Sequence, residues 1–154
     1  MKRMFLTTKV VQAEEMTRKE YCNLRNWDLP QNENPDEKVF KVTYSDGYIS
    51  TCPKDRFLEQ AYELTVDGRL NDEIVRDFIV EKEFSTEKVC GKLNTVLRYK
   101  LANGFTGIES TTAVYESNYS RVQGEQILLK GLMDKIYFGL GFAMAMSNKY
   151  KEGK

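Results

Sequence analysis

Residues able to do chemistry form a narrow set in this chain. Carboxylates stand as neighbours, Glu14-Glu15, Asp36-Glu37 and Asp72-Glu73, with Glu81 and Glu83 two apart. A hydrolytic or metal site needs such groups to converge in a cleft. Adjacent in sequence, on loops and at helix starts, they read as solvated charges or as partners of helix dipoles. The chain has no histidine. That removes Ser-His and Cys-His nucleophile pairs, imidazole proton transfer and His-based metal sites. Cys52 precedes a predicted helix, a position that favours a thiolate; burial is the simpler reading. There is no glycine-rich phosphate loop and no nucleophile elbow. No catalytic residue, metal site or cofactor is assigned on these grounds.

Aromatic and cationic residues offer recognition instead of reaction. In the stretch 97–100, Leu-Arg-Tyr-Lys, cations alternate with apolar residues. Such a surface can stack on a nucleotide, although an inward Tyr99 with Arg98 and Lys100 in solvent is the plainer arrangement. The lone tryptophan, Trp27, lies in a loop, where it reads as a packing plug before a ligand platform. The residues assigned to binding are Trp27, Tyr48, Arg98, Lys100, Phe105 and Glu109.

The elements that must position them follow from pattern. Thr17 and Glu20 have the spacing of a capping box, ahead of a short helix to about Arg25 with Tyr21 and Leu24 facing inward. Residues 9–13 read as a strand or extended arm. Residues 26–38, rich in Pro, Asn and acids, are loop anchored by Trp27 and Leu29. Asp46-Gly47 and Asn103-Gly104 each fit a two-residue type I′ hairpin. That register sets Tyr44 opposite Ile49, Val42 opposite Thr51, Leu101 opposite Thr106 and Arg98 opposite Glu109. Phe40, Val42, Tyr44 and Ile49 then share one face, as do Leu97, Tyr99, Leu101 and Ile108. Gly107, opposite Lys100, marks a bulge or a close approach. Pro53 opens a helix whose stripe is Phe57, Leu58, Ala61 and Tyr62. Another helix starts at Asp72 and buries Ile74, Val75, Phe78 and Ile79. The last helix spans about residues 121–146, with Ile127, Leu128, Leu132, Ile136, Leu140 and Ala143 at helical spacing. Gly124, Gly131 and Gly139 recur along it, and packing at close range would offset their cost of about 1 kcal/mol each relative to alanine.

The fold class is therefore α+β: two β-hairpins packed by helices, with a long C-terminal helix. An N-terminal unit, 1–66, and a C-terminal unit, 67–154, meet at a turn-rich stretch over residues 65–71.

Bulk properties narrow the function. Of 154 residues, 23 are basic and 23 acidic, and the balance argues against general nucleic-acid binding, which needs a basic excess. Three widely spaced cysteines fit reduced thiols in a cytosol. The N-terminus has no signal-peptide core. The most apolar run, residues 136–146, is about half of the roughly 20 residues that span a bilayer.

Two sets of motifs carry a resemblance. Asn103, Gly104, Phe105, Glu109 and Ser110, then Asn118-Tyr119, then Lys135, Ile136, Tyr137, Gly141 and Phe142 occur in the order seen in a phage family of unknown function. This C-terminal half, about residues 74–144, resembles the family shared by N-four-like and Sf-six-like podophages (the gene-product-forty-nine / gene-sixty-six family). It departs at Ile108, often glycine there, and at Phe138, often proline. The N-terminal half resembles a module common in phage genomes. The matching residues run from Met16, Thr17, Glu20, Tyr21, Arg25 and Trp27 through Pro30, Glu33, Asn34 and Pro35. They continue with Val42, Tyr44, Asp46, Gly47, Tyr48, Ile49 and Ser50, then Pro53, Lys54, Phe57, Ala61 and Tyr62. Here Thr51 replaces a tryptophan and Cys52 a serine.

The resemblance implies a phage or prophage origin and the cytoplasm of an infected bacterium. It assigns no active site. What it implies is a binding protein that inhibits a host antiviral defence, such as a CRISPR nuclease, by protein–protein docking. The other expectations are an oligomeric sponge for a cyclic nucleotide signal, and an enzyme acting on such a nucleotide. The glycines of the last helix point to self-association as a dimer, and no membrane partner is expected.

Overall fold

Two three-stranded antiparallel sheets, each one strand wider than a hairpin, organise this α+β protein. The computed structural model describes residues 3–4, 6–65 and 67–148. The chain divides into two units, residues 1–63 with 143–154 and residues 64–142.

The first unit contains β1 (Gln12–Thr17), α1 (Arg18–Arg25), β2 (Lys38–Thr43), β3 (Ile49–Pro53) and α2 (Lys54–Leu58), with strand order β1-β2-β3. The predicted N-terminal strand exists, displaced to Gln12–Thr17. There Glu14 pairs with Lys41 at 2.6 Å and Glu15 with Lys54 at 2.7 Å. The capping box forms as read: Thr17 Oγ1 accepts from the Glu20 amide, and the Glu20 carboxylate accepts from the Thr17 amide at 2.7 Å. Tyr21 is buried as expected, but Leu24 is exposed and Cys22 takes the inward position. The loop after α1 is lashed back onto the helix start. The Arg18 amide donates to Glu37 O at 2.8 Å and the Lys19 amide to Pro35 O at 3.1 Å. The Arg18 side chain also pairs with Glu33 and Glu37 at 3.2 and 2.9 Å. Val39 and Val42, on opposite faces of β2, are both buried. Phe57 of α2 packs on Phe40, ring centroids 4.7 Å apart. α2 stops at Leu58, short of the predicted Ala61-Tyr62 turn, and Leu58 is exposed.

The second unit contains α3 (Asp72–Asp77), β4 (Ile79–Val89), β5 (Lys92–Leu101) and β6 (Thr106–Thr112), with β5 central. A 3₁₀ turn, Glu116–Asn118, precedes α4 (Arg121–Asn148), which starts in this unit. α3 starts as predicted, with Asn71 Oδ1 accepting from the Ile74 amide at 2.9 Å and acids in the first turn. Val75 and Phe78 are buried. Beyond Phe78 the expected helix gives way to β4. Residues 79–89 pair with β5 along their length, and that ladder outweighs local helix preference. The third strand also answers the marginal stability of an isolated hairpin.

Both predicted hairpins exist, and both are one residue out of the predicted register. Tyr44 and Tyr48 close the first, the Tyr44 amide donating to Tyr48 O at 2.9 Å. Leu101 and Phe105 close the second, the Leu101 amide donating to Phe105 O at 2.7 Å. Each loop has three residues and ends on a glycine of positive φ, Gly47 at 84° and Gly104 at 83°. Asp46 and Asn103 keep negative φ, because each side chain accepts from the amide two residues on, Tyr48 or Phe105, at 3.0 Å. Val42 therefore pairs with Ser50 and Thr43 with Ile49. Arg98 pairs with Ile108, Leu97 with Glu109 and Tyr99 with Gly107. A slip of one residue reverses every side chain of one strand, so Ile49 and Ile108 leave the faces predicted for them, and Ile108 is exposed.

α4 lies on the β5 face that carries Thr95, Leu97 and Tyr99. It touches that face at Gly124, where an added Cβ would collide with Thr95, and at Lys135, bonded to Glu109 of β6. Between these points Leu128 and Leu132 are buried, with Ile136 one turn on. Among the described residues, Gly124 alone of the helix glycines has a packing partner, and no described residue lies within 4 Å of a Cβ placed at Gly131, Gly139 or Gly141. Ile127, predicted inward, is exposed.

Candidate functional site

The two aromatic residues assigned to binding in the first unit sit at its turns. Asn26 caps α1 in the left-handed conformation, φ 55°, and the Trp27 amide donates to Cys22 O at 2.9 Å. This geometry swings Trp27 outward. One ring edge meets Tyr21, centroids 6.1 Å apart, and the Arg25 guanidinium lies 4.9 Å from the ring centroid. With 55% of its surface exposed, Trp27 is not the packing plug expected of it. Tyr48 follows Gly47 at the hairpin tip. It packs on Tyr44 at 5.7 Å, over which Lys9 lies at 5.0 Å, and it remains 64% exposed.

In the second unit, register divides the assigned residues between faces. Arg98 and Lys100 share one face of β5. Their carboxylate partners come from β4: Arg98 meets Glu87 at 2.7 Å and Lys100 meets Glu81 at 3.2 Å. Hydrogen bonds from Arg98 and from Ser85 hold the Glu87 carboxyl below its ordinary value. The expected Arg98–Glu109 pair does not form, because Glu109 belongs to the other face. There it accepts from Lys135 Nζ at 2.6 Å and from the Tyr99 hydroxyl at 3.3 Å. Phe105, 59% exposed at the hairpin tip, has its ring 6.5 Å from that of Tyr99. Gly107 opposite makes this possible, since a Cβ there would collide with the Tyr99 ring. The close approach expected at Gly107 is thus real, but a side chain makes it, and the residue opposite is Tyr99 instead of Lys100.

The chemistry of the Tyr99–Glu109–Lys135 cluster is that of a clamp. Burial, then the Glu109 charge, push the Tyr99 phenol upward. The hydrogen bond to Glu109 raises Lys135. Both shifts move away from neutrality, leaving a protonated phenol and ammonium, neither a nucleophile. Lys135 and Tyr99 were absent from the assigned binding set; no sequence signal joins β6 to a helix position 26 residues on. Nearby, the Tyr137 hydroxyl donates to Asp72 at 2.7 Å, which raises that phenol too.

A shallow recess of about 140 Å³ lies where α4 begins, lined by Thr95, Thr111, Asn118, Tyr119, Ser120 and Gln123 among others. The Tyr119 hydroxyl bonds to Thr86 at 3.0 Å and to Thr95 at 3.1 Å in its wall. Among the described residues no group of three or more His, Cys, Asp or Glu side chains could hold a metal ion. No helix among them is long and apolar enough to cross a membrane. Comparison of the chain with protein-family models, curated proteins and solved structures returns no match.

Proposed function

We propose that the chain is a phage-encoded protein that acts in the cytoplasm of an infected bacterium and inhibits an antiviral defence by docking on one of its proteins, with CRISPR nucleases as the first target class to test. The observation that carries this reading is the presentation of Trp27, Tyr48 and Phe105. All three are large, more than half exposed, and held at turns by backbone hydrogen bonds. Exposed aromatic anchors of this kind, Trp27 with the Arg25 guanidinium over its ring, are what protein interfaces use as hot spots. The phage-like motifs supply the setting, since Trp27 and Tyr48 belong to one motif set and Phe105 to the other.

The test is affinity capture from a bacterium that bears a defined defence system. Wild-type chain should retain a component of that system. Trp27→Ala, Tyr48→Ala and Phe105→Ala should each be scored, and at least one should lose the component. Capture of none, or capture unaffected by all three, would sink the reading.

The threonine-lined recess keeps a second reading, sequestration of a cyclic nucleotide signal. Its volume of about 140 Å³ is well under the roughly 300–1,000 Å³ of drug-sized ligand sites. A sponge would therefore need walls from a second copy. Calorimetry with cyclic di- and trinucleotides and cyclic ADP-ribose isomers decides, and chromatography of the incubated ligand separates a sponge from an enzyme.

A further inference from the structure

α4 is apolar on more than the side it buries. Leu128, Leu132 and Ile136 are covered, while Ile127 and Phe138 remain 60% and 75% exposed. A helix apolar all round is normally covered all round. Val122 and Phe142 are exposed as well, but Ile127 and Phe138 share one line of the helix with exposed Asp134 and half-buried Gly131 and Gly141. Ile127, Gly131, Asp134, Phe138 and Gly141 are spaced by four, three, four and three, the seam of a helix pair. Gly131 leaves open space where a Cβ would stand, so another backbone can approach there. Lys130 stands at the edge of the seam, one turn before Asp134 within it. Both are exposed, and neither has an ion partner among the described residues.

We propose that this face binds a second copy of the chain, with the two α4 helices antiparallel about a two-fold axis between Leu132 and Met133. The argument is self-complementarity. Reversal about that axis sets Ile127 against the partner's Phe138, and Gly131 against the partner's Asp134. It brings Lys130 within one residue's rise, about 1.5 Å along the axis, of the partner's Asp134. Lys130 lies on the side of the seam toward which Asp134 is offset. By symmetry the contact occurs twice. The two unpaired charges thereby find each other, and Phe138, the most exposed large apolar residue of the helix among the described residues, meets Ile127. A parallel pairing would set Asp134 against Asp134 at the centre. The inference is independent of what the chain docks on.

Sedimentation velocity of the full-length chain over a range of concentrations tests it. The wild type should sediment as a dimer. Asp134→Lys and Lys130→Glu, made singly, turn both contacts repulsive and should each raise the dimer dissociation constant about tenfold or more. Combining them restores opposite charges and should return it to within about threefold of wild type. Phe138→Glu should leave a monomer whose circular dichroism and melting match those of a folded chain. A wild type that stays monomeric, leaving the face for some other protein, overturns the proposal. So does a dimer indifferent to the single reversals, or a double variant no better than the worse single.

Discussion

Gly124 and Gly139 lie on one helix, and alanine at the two positions should act with opposite sign. Alanine gains about 1 kcal/mol over glycine in a helix interior wherever nothing else changes. At Gly139 nothing among the described residues stands within 4 Å of the new Cβ, so Gly139→Ala should stabilise by up to about 1 kcal/mol. At Gly124 the new methyl meets Thr95, whose Oγ1 is nearest and whose Cβ is 2.7 Å away. Those atoms lie next to the backbone of the central strand and cannot swing aside as the end of a long side chain would. Overpacking of this kind costs about 1–3 kcal/mol, so Gly124→Ala should come out between neutral and about 2 kcal/mol destabilised. The contrast between the variants, about 1–3 kcal/mol, is the overpacking cost alone, because the helix-propensity gain is common to both and cancels. Urea unfolding followed by far-ultraviolet dichroism measures it, provided the slope with denaturant is unchanged. Equal stabilisation by both alanines would mean that the helix does not touch Thr95, and the packing of α4 on β5 would have to be abandoned.

Four further outcomes follow from local structure. Thr17→Ala removes the hydroxyl half of the capping box and should destabilise by about 0.5–2 kcal/mol in urea, with an unchanged outcome arguing against the cap. Thr51 carries a buried hydroxyl with no hydrogen-bond partner among the described residues, so Thr51→Val should raise the melting temperature and add about 1 kcal/mol of stability; a loss would point to a hidden partner. Cys90 sits at φ 50° ahead of Gly91 at 83°, and Cys90→Asn should stabilise the turn by a few tenths of a kcal/mol, because asparagine tolerates that conformation better. Glu87 is held below its ordinary 4.5 by Arg98 and Ser85, so its contribution is full above pH 4.5 and is lost as pH falls through the lowered folded value. Glu87→Gln should flatten that acid limb in urea midpoints measured against pH, and an unchanged limb would show that the pair does not form.

Legibility followed the range of the interaction. The capping box at Thr17 and Glu20 and the long helix from Arg121 were readable because the deciding contacts lie within a few residues. The existence of both hairpins was readable for the same reason. Their register was not. Asp46-Gly47 and Asn103-Gly104 carry the residues of a type I′ turn, but Asp46 and Asn103 also have side chains that reach the amide two residues on, and the longer loop satisfies that bond. Among the described residues, the one loop where two consecutive residues have positive φ is Cys90-Gly91, between β4 and β5, where cysteine gave no turn signal. β4 was hidden because Ile74, Val75, Phe78 and Ile79 fit a helix stripe, and only the distant β5 makes residues 79–89 a strand. β1 was misplaced likewise, since Glu14 and Glu15 read as solvent-facing charges until Lys41 and Lys54 are brought beside them.

The same one-residue slip decides what the Asn103-Gly104 hairpin can do. In the two-residue register Glu109 would neutralise Arg98 across the strand, and the tip would be a polar turn with no tie to the helix. In the observed register Glu109 faces α4, takes a bond from Lys135, and steadies Tyr99 beneath Phe105. Arg98 is left to β4, where Glu87 and Ser85 fix it. A carboxylate that looked like part of a recognition surface is therefore a strut. The exposed ring at Phe105 rests on Tyr99, which a hydrogen bond and a glycine opposite hold in place. An anchor pre-set in this way loses less side-chain freedom on binding than a mobile one, and reduced ordering cost is a principal source of affinity at small interfaces.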